Sequence, residues 1–178
     1  RLIEPRDGWP NSSAYAISAG AGDVLNKINV FKSLEEATKD ISLLFATTAR
    51  KRVIGTKPLD VFEAIDKSFH HVVNGGQVGF LFGPEQSGLS NNDVVQADYT
   101  ISIPLNQNFS SLNLSQAVLL ICWEWNKVKM SHFKEDNLPI KVNKKLKKST
   151  EISNVGDREY FYQQLDFLLS KSGFFHSP

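Results

Sequence analysis

The chain has 178 residues, of which 41% are hydrophobic, and its formal net charge is +1. These values are typical of one globular domain, with or without an appendage. So small a net charge excludes bulk attraction to nucleic acid, and any such binding requires a local basic patch. The single cysteine, Cys122, excludes a disulfide framework or a cysteine-based zinc site within the chain, and it fits a cytoplasmic setting. No run reaches the roughly 18 apolar residues that a membrane span needs.

The first forty residues predict short elements separated by turns. In order, these are the end of a strand at 1–4, a turn at 5–10, a helix at 12–19, a strand at 28–31 and a helix at 34–39. Asn11 is the candidate N-cap of the first helix. Ser33 and Glu36 have the spacing of a capping box, which predicts the start of the second helix.

Three continuous apolar runs then predict strands that are buried on both faces, as in parallel sheets. The runs cover residues 41–46, 78–82 and 99–103. Helical patterns predict a helix that begins at Pro58 and further helices at 90–97, 112–130 and 157–172. Strands that alternate with helices predict an α/β fold, with a mostly parallel sheet and helices on both of its faces. Cys122 falls within the long helix at 112–130 and is expected in the core.

A polar loop follows each of these three strands, at residues 47–52, 83–89 and 104–111. In an open parallel sheet, ligands bind in the crevice beyond the carboxyl ends of the strands. If the sheet is parallel, all three loops lie at that edge. We therefore expect the loops to meet in space and to form one cofactor pocket.

The first two loops each allow two interpretations. Thr47 and Thr48 offer hydroxyl groups and Arg50 offers a cation, either to a ligand or for ordinary loop and N-cap bonds. Glu85 places a carboxylate where a strand stops, either to serve the pocket or to accept bonds from nearby loop amides. Gly83, two residues before it, permits a close approach of a ligand to the backbone.

The third loop places Ser110, Ser111 and Asn113 at the start of the long helix. Free N–H groups and the helix dipole favour electron-rich partners there. Helix capping is the alternative role for these side chains, and the two roles are compatible. The four histidines have no metal-ligand spacing, so the sequence predicts no metal site.

Together the loops resemble the SPOUT superfamily, in its SpoU/TrmH class of RNA ribose 2′-O-methyltransferases, and the resemblance covers residues 1–130. The motifs that carry it are FGPEQSGL at 82–89, Ile103 with Pro104, and SSLNLSQAV at 110–118. The stretches most similar to the TrmJ branch of that class are 5–11, 46–50 and 106–113. Residues 167–178 are similar to the start of that branch's C-terminal appendage.

The resemblance implies a C-terminal trefoil knot whose loops bind S-adenosylmethionine, largely through backbone groups. By motif position, the cofactor contacts would fall on Thr47, Thr48, Ala49, Gly83, Ile103, Ser110, Ser111 and Leu112. Glu85, Ser111 and Asn113 match the polar residues that the family keeps near the reacting ribose, and they are the predicted catalytic residues. The family is dimeric through the long helix, which would account for Trp123 and Trp125 on one helix.

Basic residues on loops at the same edge are the predicted RNA contacts, namely Arg6, Arg50 and Arg52. The lysines at 141–148 either bind phosphate non-specifically or belong to a solvated linker. We expect a methyltransferase domain over 1–130, a Lys-rich linker over 131–156, and the start of a C-terminal helical extension over 157–178. Both ends are expected to be cut from a longer protein, since the chain starts without Met in an apolar run and ends just after an aromatic-rich turn. The family's Arg that assists deprotonation would precede Arg1.

The function that the resemblance implies is methylation of a ribose 2′-hydroxyl in tRNA, at cytidine or uridine 32 of the anticodon loop, by a homodimer that uses S-adenosylmethionine. The cofactor supplies the reactive carbon, while the protein aligns it and helps to remove the proton. Two alternatives stay open. One is a ribosomal-RNA 2′-O-methyltransferase of the same class, and the other is an RNA-binding module without catalysis.

Overall fold

The computed structural model describes residues 1–49, 58–105, 112–135 and 152–171. The elements in this part of the chain are, in order, β1 (Leu2–Ile3), α1 (Ser12–Ala16), α2 (Gly22–Leu25), β2 (Val30–Phe31), α3 (Leu34–Thr38), β3 (Leu43–Thr47), α4 (Val61–Val73), β4 (Val78–Leu81), α5 (Asn91–Val95), β5 (Tyr99–Ile101), α6 (Leu114–Glu135) and α7 (Val155–Lys171). They form two compact units. The first unit contains residues 1–40 together with α7, and the second contains the elements from β3 to α6.

The first unit contains a parallel pair of short strands, β1 and β2, at the two places where the sequence predicts strands. Leu2 lies opposite Val30 in this pair. The Asn11 side chain caps α1 by accepting hydrogen bonds from two backbone amides, as predicted. However, α1 ends at Ala16, earlier than predicted. The backbone leaves the helical region at the C-cap Ile17, with φ −99° and ψ 3°, and Ala19 then adopts a left-handed φ of 48°.

α3 and α7 contact each other within the first unit. Ser33 caps α3 by accepting a hydrogen bond of 3.2 Å from the amide of Glu36, as predicted. At the start of α7, Val155 is buried. Burial raises the pKa of the Glu159 carboxyl, and the nearby carboxylate of Glu35 raises it further.

The large apolar side chains of the rest of α7 are exposed, with Phe161 at 59%, Leu165 at 40% and Leu168 at 59%. Val155 is the one buried residue of the described helix, because apolar and polar side chains are distributed around α7 without a single apolar stripe.

The second unit contains the predicted parallel sheet. β3 pairs in parallel with β4 on one side and with β5 on the other, so the strand order is β4–β3–β5. The strands lie within the three apolar runs, extended by one residue at Thr47, and residues 43–46 of β3 are all buried. The Phe45 ring lies between those of Phe80 and Tyr99, with centroids 5.3 and 5.7 Å away. The mixed α/β fold with parallel strands is confirmed.

α4 and α6 pack against each other and close the core of the second unit. The buried residues of this core include Phe45, Ile65, Phe69, Ile121 and Val128. α4 begins later than predicted, after Asp60, whose side chain forms a reciprocal capping box with Glu63. α6 extends to Glu135, beyond the predicted end of the long helix.

The side of α6 that faces away from this core is exposed. Leu119 is 65% exposed, Trp123 is 58% exposed and Met130 is 52% exposed. Cys122 is exposed as well, so the prediction that it lies in the core is wrong. Of the two tryptophans, Trp125 packs against the core and Trp123 faces outward.

Within the described ranges, no helix combines the length and the apolar character that crossing a membrane requires.

Candidate functional site

A cavity of about 320 Å³ opens at the carboxyl ends of β3, β4 and β5, and we name it the carboxyl-end cavity. Its walls come from the residues that follow each of these strands and from the first turn of α6. All of the lining residues belong to the second unit. The described parts of the three predicted loops therefore meet at one edge of the sheet, because all three strands run in parallel.

The end of β3 contributes Thr47, Thr48 and Ala49 to the lining. The Thr47 hydroxyl donates a hydrogen bond of 2.7 Å to the carbonyl of Leu81 on β4. The amide of Thr48 donates to the carbonyl of Ile101 on β5 at 3.0 Å. The hydroxyl hydrogen of Thr47 thus holds the neighbouring strand, so this side chain has only its oxygen, as an acceptor, left for a ligand.

The loop after β4 forms a second wall, and it is closed by backbone contacts. A side-chain carbon at Gly83 would lie 2.3 Å from the backbone of both Gly88 and Leu89, closer than atoms can approach. The amide of Gly88 donates a hydrogen bond of 2.7 Å to the carbonyl of Pro84. The loop therefore folds back on itself, and it carries Glu85 on its exposed tip at the cavity.

A third wall is apolar and comes from Ile103, Leu105 and Leu112, with side chains of α6 behind them. Asn113 immediately precedes α6 and acts as its cap. Its Oδ1 accepts hydrogen bonds from the amide of Ser115 at 2.9 Å and from the hydroxyl of the same residue at 2.7 Å. Asn113 is exposed beside the cavity wall but does not itself line the cavity.

The structure brings together most of the predicted site residues that it describes. Those that line the carboxyl-end cavity are Thr47, Thr48, Ala49, Gly83, Glu85, Ile103 and Leu112. Ser110, Ser111, Arg50 and Arg52 lie outside the described residues, as do the lysines at 141–148. Sequence reasoning did not assign apolar lining residues such as Phe82, Leu89 and Leu105. The signal that could have found the first two is their place at either end of the FGPEQSGL motif.

Arg6, the remaining predicted RNA contact, lies in the first unit. Its side chain is 90% exposed and forms an ion pair of 2.9 Å with Asp7. The hydrogen bond from Arg6 lowers the pKa of the Asp7 carboxyl. An exposed pair of this kind contributes little to stability, and its guanidinium group is accessible to other anions.

The chemistry of the carboxyl-end cavity suits a small organic molecule with an apolar ring and polar edges. Its volume lies at the lower end of the range for ligand pockets, about 300–1,000 Å³, and apolar side chains alternate with backbone segments in its lining. Among the described residues, no group of three or more His, Cys, Asp or Glu side chains could hold a metal ion. Glu85 is the one carboxylate among the lining residues.

Comparison with known proteins relates this geometry to a family. Residues 1–123 match the family described as the SpoU rRNA Methylase family. The chain is 34% identical over 167 residues to the tRNA (cytidine/uridine-2′-O-)-methyltransferase TrmJ of Yersinia pestis, an alignment that covers 93% of this chain and 62% of that protein. The chain thus spans less than two thirds of the length of that relative.

Two further relatives extend the comparison. The tRNA (cytidine/uridine/adenosine-2′-O-)-methyltransferase TrmJ of Pseudomonas aeruginosa is 32% identical over 176 residues, which cover 97% of this chain and 67% of that protein. The crystal structure of TrmJ from Z. mobilis superposes with a TM-score of 0.77 at 35% identity, covering 99% of this chain and 69% of that one.

Proposed function

Since the chain belongs to the SpoU rRNA methylase family, we propose that this protein methylates a ribose 2′-hydroxyl of tRNA, at cytidine or uridine 32 of the anticodon loop, in the cytoplasm. The observation that carries the proposal is the carboxyl-end cavity, which lies where the family's three motifs meet. The names of the Yersinia and Pseudomonas relatives support tRNA as the substrate and the 2′-oxygen as the acceptor.

S-adenosylmethionine is the proposed methyl donor. Its adenosine part needs an apolar slot bordered by backbone donors and acceptors, and Ile103, Leu105 and Leu112 line such a slot beside the backbone of Gly83. Those residues and 47–49, with Ser110 and Ser111 of the third motif, would hold the cofactor. When bound, it would supply a sulfonium methyl group. The ribose 2′-oxygen would gain the methyl as the carbon–sulfur bond breaks, the thioether would leave, and the hydroxyl proton would pass to a base or to water.

The residues proposed to face the ribose are Glu85, Asn113 and Ser111. The Glu85 carboxylate can accept a hydrogen bond from the ribose hydroxyl and hold it in line for the transfer. The Oδ1 of Asn113 is already bound to Ser115. We therefore assign to Asn113 the role of a donor, through the hydrogens on its Nδ2, to an oxygen of the RNA. Arg6, Arg50 and Arg52 are proposed to contact phosphates.

The resemblance also supports finer features of the fold. We propose that the fold contains a C-terminal trefoil knot, a rare exception to the rule against threaded loops. The proposed division of the chain is a methyltransferase domain over 1–130, a Lys-rich linker over 131–156 and the start of a C-terminal helical extension over 157–178.

A homodimer through α6 is the proposed assembly. Leu119, Trp123 and Met130 lie within a narrow stripe on this helix, at 3.6 residues per turn, and all three are more than half exposed. Apolar stripes of this kind mark protein–protein interfaces.

Changing Leu119→Asp should dissociate this dimer at micromolar concentration, because it places a charge in the centre of the apolar stripe. Analytical ultracentrifugation of the full-length protein would measure the change. Leu168→Asp, on the equally exposed face of α7, is the matched control and should leave the dimer intact. A wild-type protein that sediments as a monomer would contradict the proposed assembly.

The methyl transfer is tested with full-length protein, labelled S-adenosylmethionine and an unmodified tRNA transcript, followed by mapping of the modified nucleoside. We expect label on the ribose of nucleotide 32. Label on ribosomal RNA instead would support the alternative substrate, which the description of the family names. Tight RNA binding with no transfer to either RNA would identify a binding module without catalysis.

A further inference from the structure

The loop from Gly83 to Leu89 contains two glycines, and each position requires glycine for a different reason. Gly83 has no room for a side chain, since a Cβ there would lie 2.3 Å from the backbone of Gly88 and Leu89. Backbone atoms cannot rotate away as the end of a side chain can. The requirement at Gly83 is therefore steric, and it brings the two ends of the loop into direct contact.

Gly88 has the opposite requirement. Its φ is +63°, in the left-handed region, while a Cβ there would meet no atom within 4 Å. A side chain would fit at this position, so glycine is favoured there only because of the left-handed backbone conformation. Glycine adopts this region without cost, Asn and Asp adopt it with little cost, and Ala adopts it with strain. In this conformation the amide of Gly88 reaches the carbonyl of Pro84 at 2.7 Å.

The tip of the loop depends on this closure. Glu85, Gln86 and Ser87 lie between the two hydrogen-bonded residues, and all three are exposed at the carboxyl-end cavity. In the ranges 1–49, 58–105, 112–135 and 152–171, the Glu85 carboxylate has no hydrogen-bond or ion-pair partner. Because no described side chain holds this carboxylate, the backbone of the loop alone sets where the Glu85 side chain starts and the direction in which it leaves the loop.

We propose that Gly88 is a positioning residue, whose left-handed backbone closes the loop and holds the carboxylate of Glu85 over the cavity. This role rests on the proposed methyl transfer. Under this proposal, Gly88 orients the carboxylate that meets the ribose, although it lies three positions after Glu85 in the loop's hydrogen-bonded turn. A change at Gly88 should then act on turnover through Glu85, because a misplacement of about 1 Å in a reacting group can cost roughly 100-fold in rate.

The test is a double-mutant cycle on the full-length protein, in single-turnover assays with unmodified tRNA transcript and labelled S-adenosylmethionine. Gly88→Ala should lower the rate of transfer by about tenfold, because Ala is strained in the left-handed region. The same change combined with Glu85→Ala should lower the rate by less than about twofold relative to Glu85→Ala alone, since coupled residues are not additive. Gly88→Asn should recover most of the loss of Gly88→Ala.

Each outcome decides the question. The positioning role would be overturned if Gly88→Ala lowered the transfer rate by the same factor in the wild-type protein and in the Glu85→Ala variant. An unchanged transfer rate in Glu85→Ala would overturn it as well. A merely structural effect would appear as equal damage by Gly88→Ala and Gly88→Asn, or as a lower melting temperature that follows the rate. A wild-type protein that transfers no methyl group to tRNA would refute the proposed function, and the positioning role with it.

Discussion

The second unit has a hollow at each end of its parallel strands, and the two hollows differ in chemistry more than in size. The carboxyl-end cavity has a volume of about 320 Å³. The other hollow, which we name the amino-end hollow, has a volume of about 480 Å³ and lies beside Gly76 and Gln77, just before β4. Apolar side chains, among them Phe80 and Trp125, form most of its lining.

The polar groups at the amino ends of the strands bind one another. The hydroxyl of Ser42 lies 2.7 Å from Nε2 of His71, donates to the carbonyl of Gln77 at 3.0 Å and accepts from the amide of Gln77 at 2.8 Å. The His71 ring also covers the backbone of Gly76. Little remains in this network to recognise a ligand.

At the carboxyl ends, the loops turn away from the sheet and keep backbone segments and one carboxylate at the cavity. Gly83 makes this possible, because a larger residue would separate the two ends of its loop. Hollow size therefore does not identify the proposed site in this fold. The proposed site lies at the carboxyl ends of the strands, as the location of ligands in open parallel sheets predicts.

The largest expected effect comes from substituting one glycine at each end of the strands. Gly83→Ala should weaken binding of S-adenosylmethionine by roughly 100-fold or more, because the clash with backbone atoms must displace the loop. Calorimetry on the full-length protein would measure the affinity. Gly76→Ala is the matched change at the amino-end hollow, where the added Cβ would lie 2.2 Å from the His71 ring.

In Gly76→Ala the ring must move, and the bond between His71 and Ser42 is lost. We expect a lower melting temperature with an unchanged affinity for S-adenosylmethionine. Equal losses of affinity in the two variants would show that the ends of the sheet are not functionally distinct.

The second expected effect concerns the carboxylate at the cavity. Glu85→Ala should lower the turnover number for tRNA methylation by about 100-fold, because the ribose hydroxyl is then no longer held in line for the transfer. The melting temperature should stay unchanged, since the side chain is exposed and has no partner in the described part of the chain. Glu85→Gln keeps the shape but removes the charge, and it should lose nearly as much activity. A variant that fails to fold would instead identify Glu85 as structural.

Asn113 combines a cap with a proposed contact to RNA, and two substitutions separate these roles. Asn113→Ala should lower turnover by about tenfold, the value of one hydrogen bond, and should destabilise the fold by about 1 kcal/mol through loss of the cap. Asn113→Ser keeps a capping oxygen but removes the Nδ2 donor, so it should lose turnover while the stability is retained. Thermal denaturation and steady-state kinetics provide the two measurements. Full activity in Asn113→Ser would leave capping as the only role.

The sheet and the location of the cavity could be predicted from the sequence because both depend on local patterns. Continuous apolar runs are typical of strands buried on both faces, and polar loops at their ends identify the edge where a ligand binds. The strand order could not be predicted in this way. For that reason the bond from the Thr47 hydroxyl to Leu81, which uses the one hydrogen that this side chain can donate, could not be anticipated.

Helix faces were harder to predict than strands. α6 has two apolar stripes, and periodicity alone does not say which one meets the core. Ile121 and Val128 are buried, while Leu119 and Trp123 are exposed. Cys122 lies beside the buried stripe rather than within it, and a sequence pattern does not distinguish these two positions.

The smallest expected effect on activity comes from the amino-end hollow. Ser42→Ala removes the acceptor of the Gln77 amide and the partner of His71. Ser42 is 8% exposed, so the amide of Gln77 would lose its partner in a nearly dry environment. The expected cost is about 1–3 kcal/mol of unfolding free energy, measured by urea denaturation. The rate of methyl transfer should change by less than about twofold, since additive behaviour is expected for sites without shared partners. A Ser42→Ala protein that is stable but has lost methyl transfer would show instead that the amino ends of the strands contribute to the reaction.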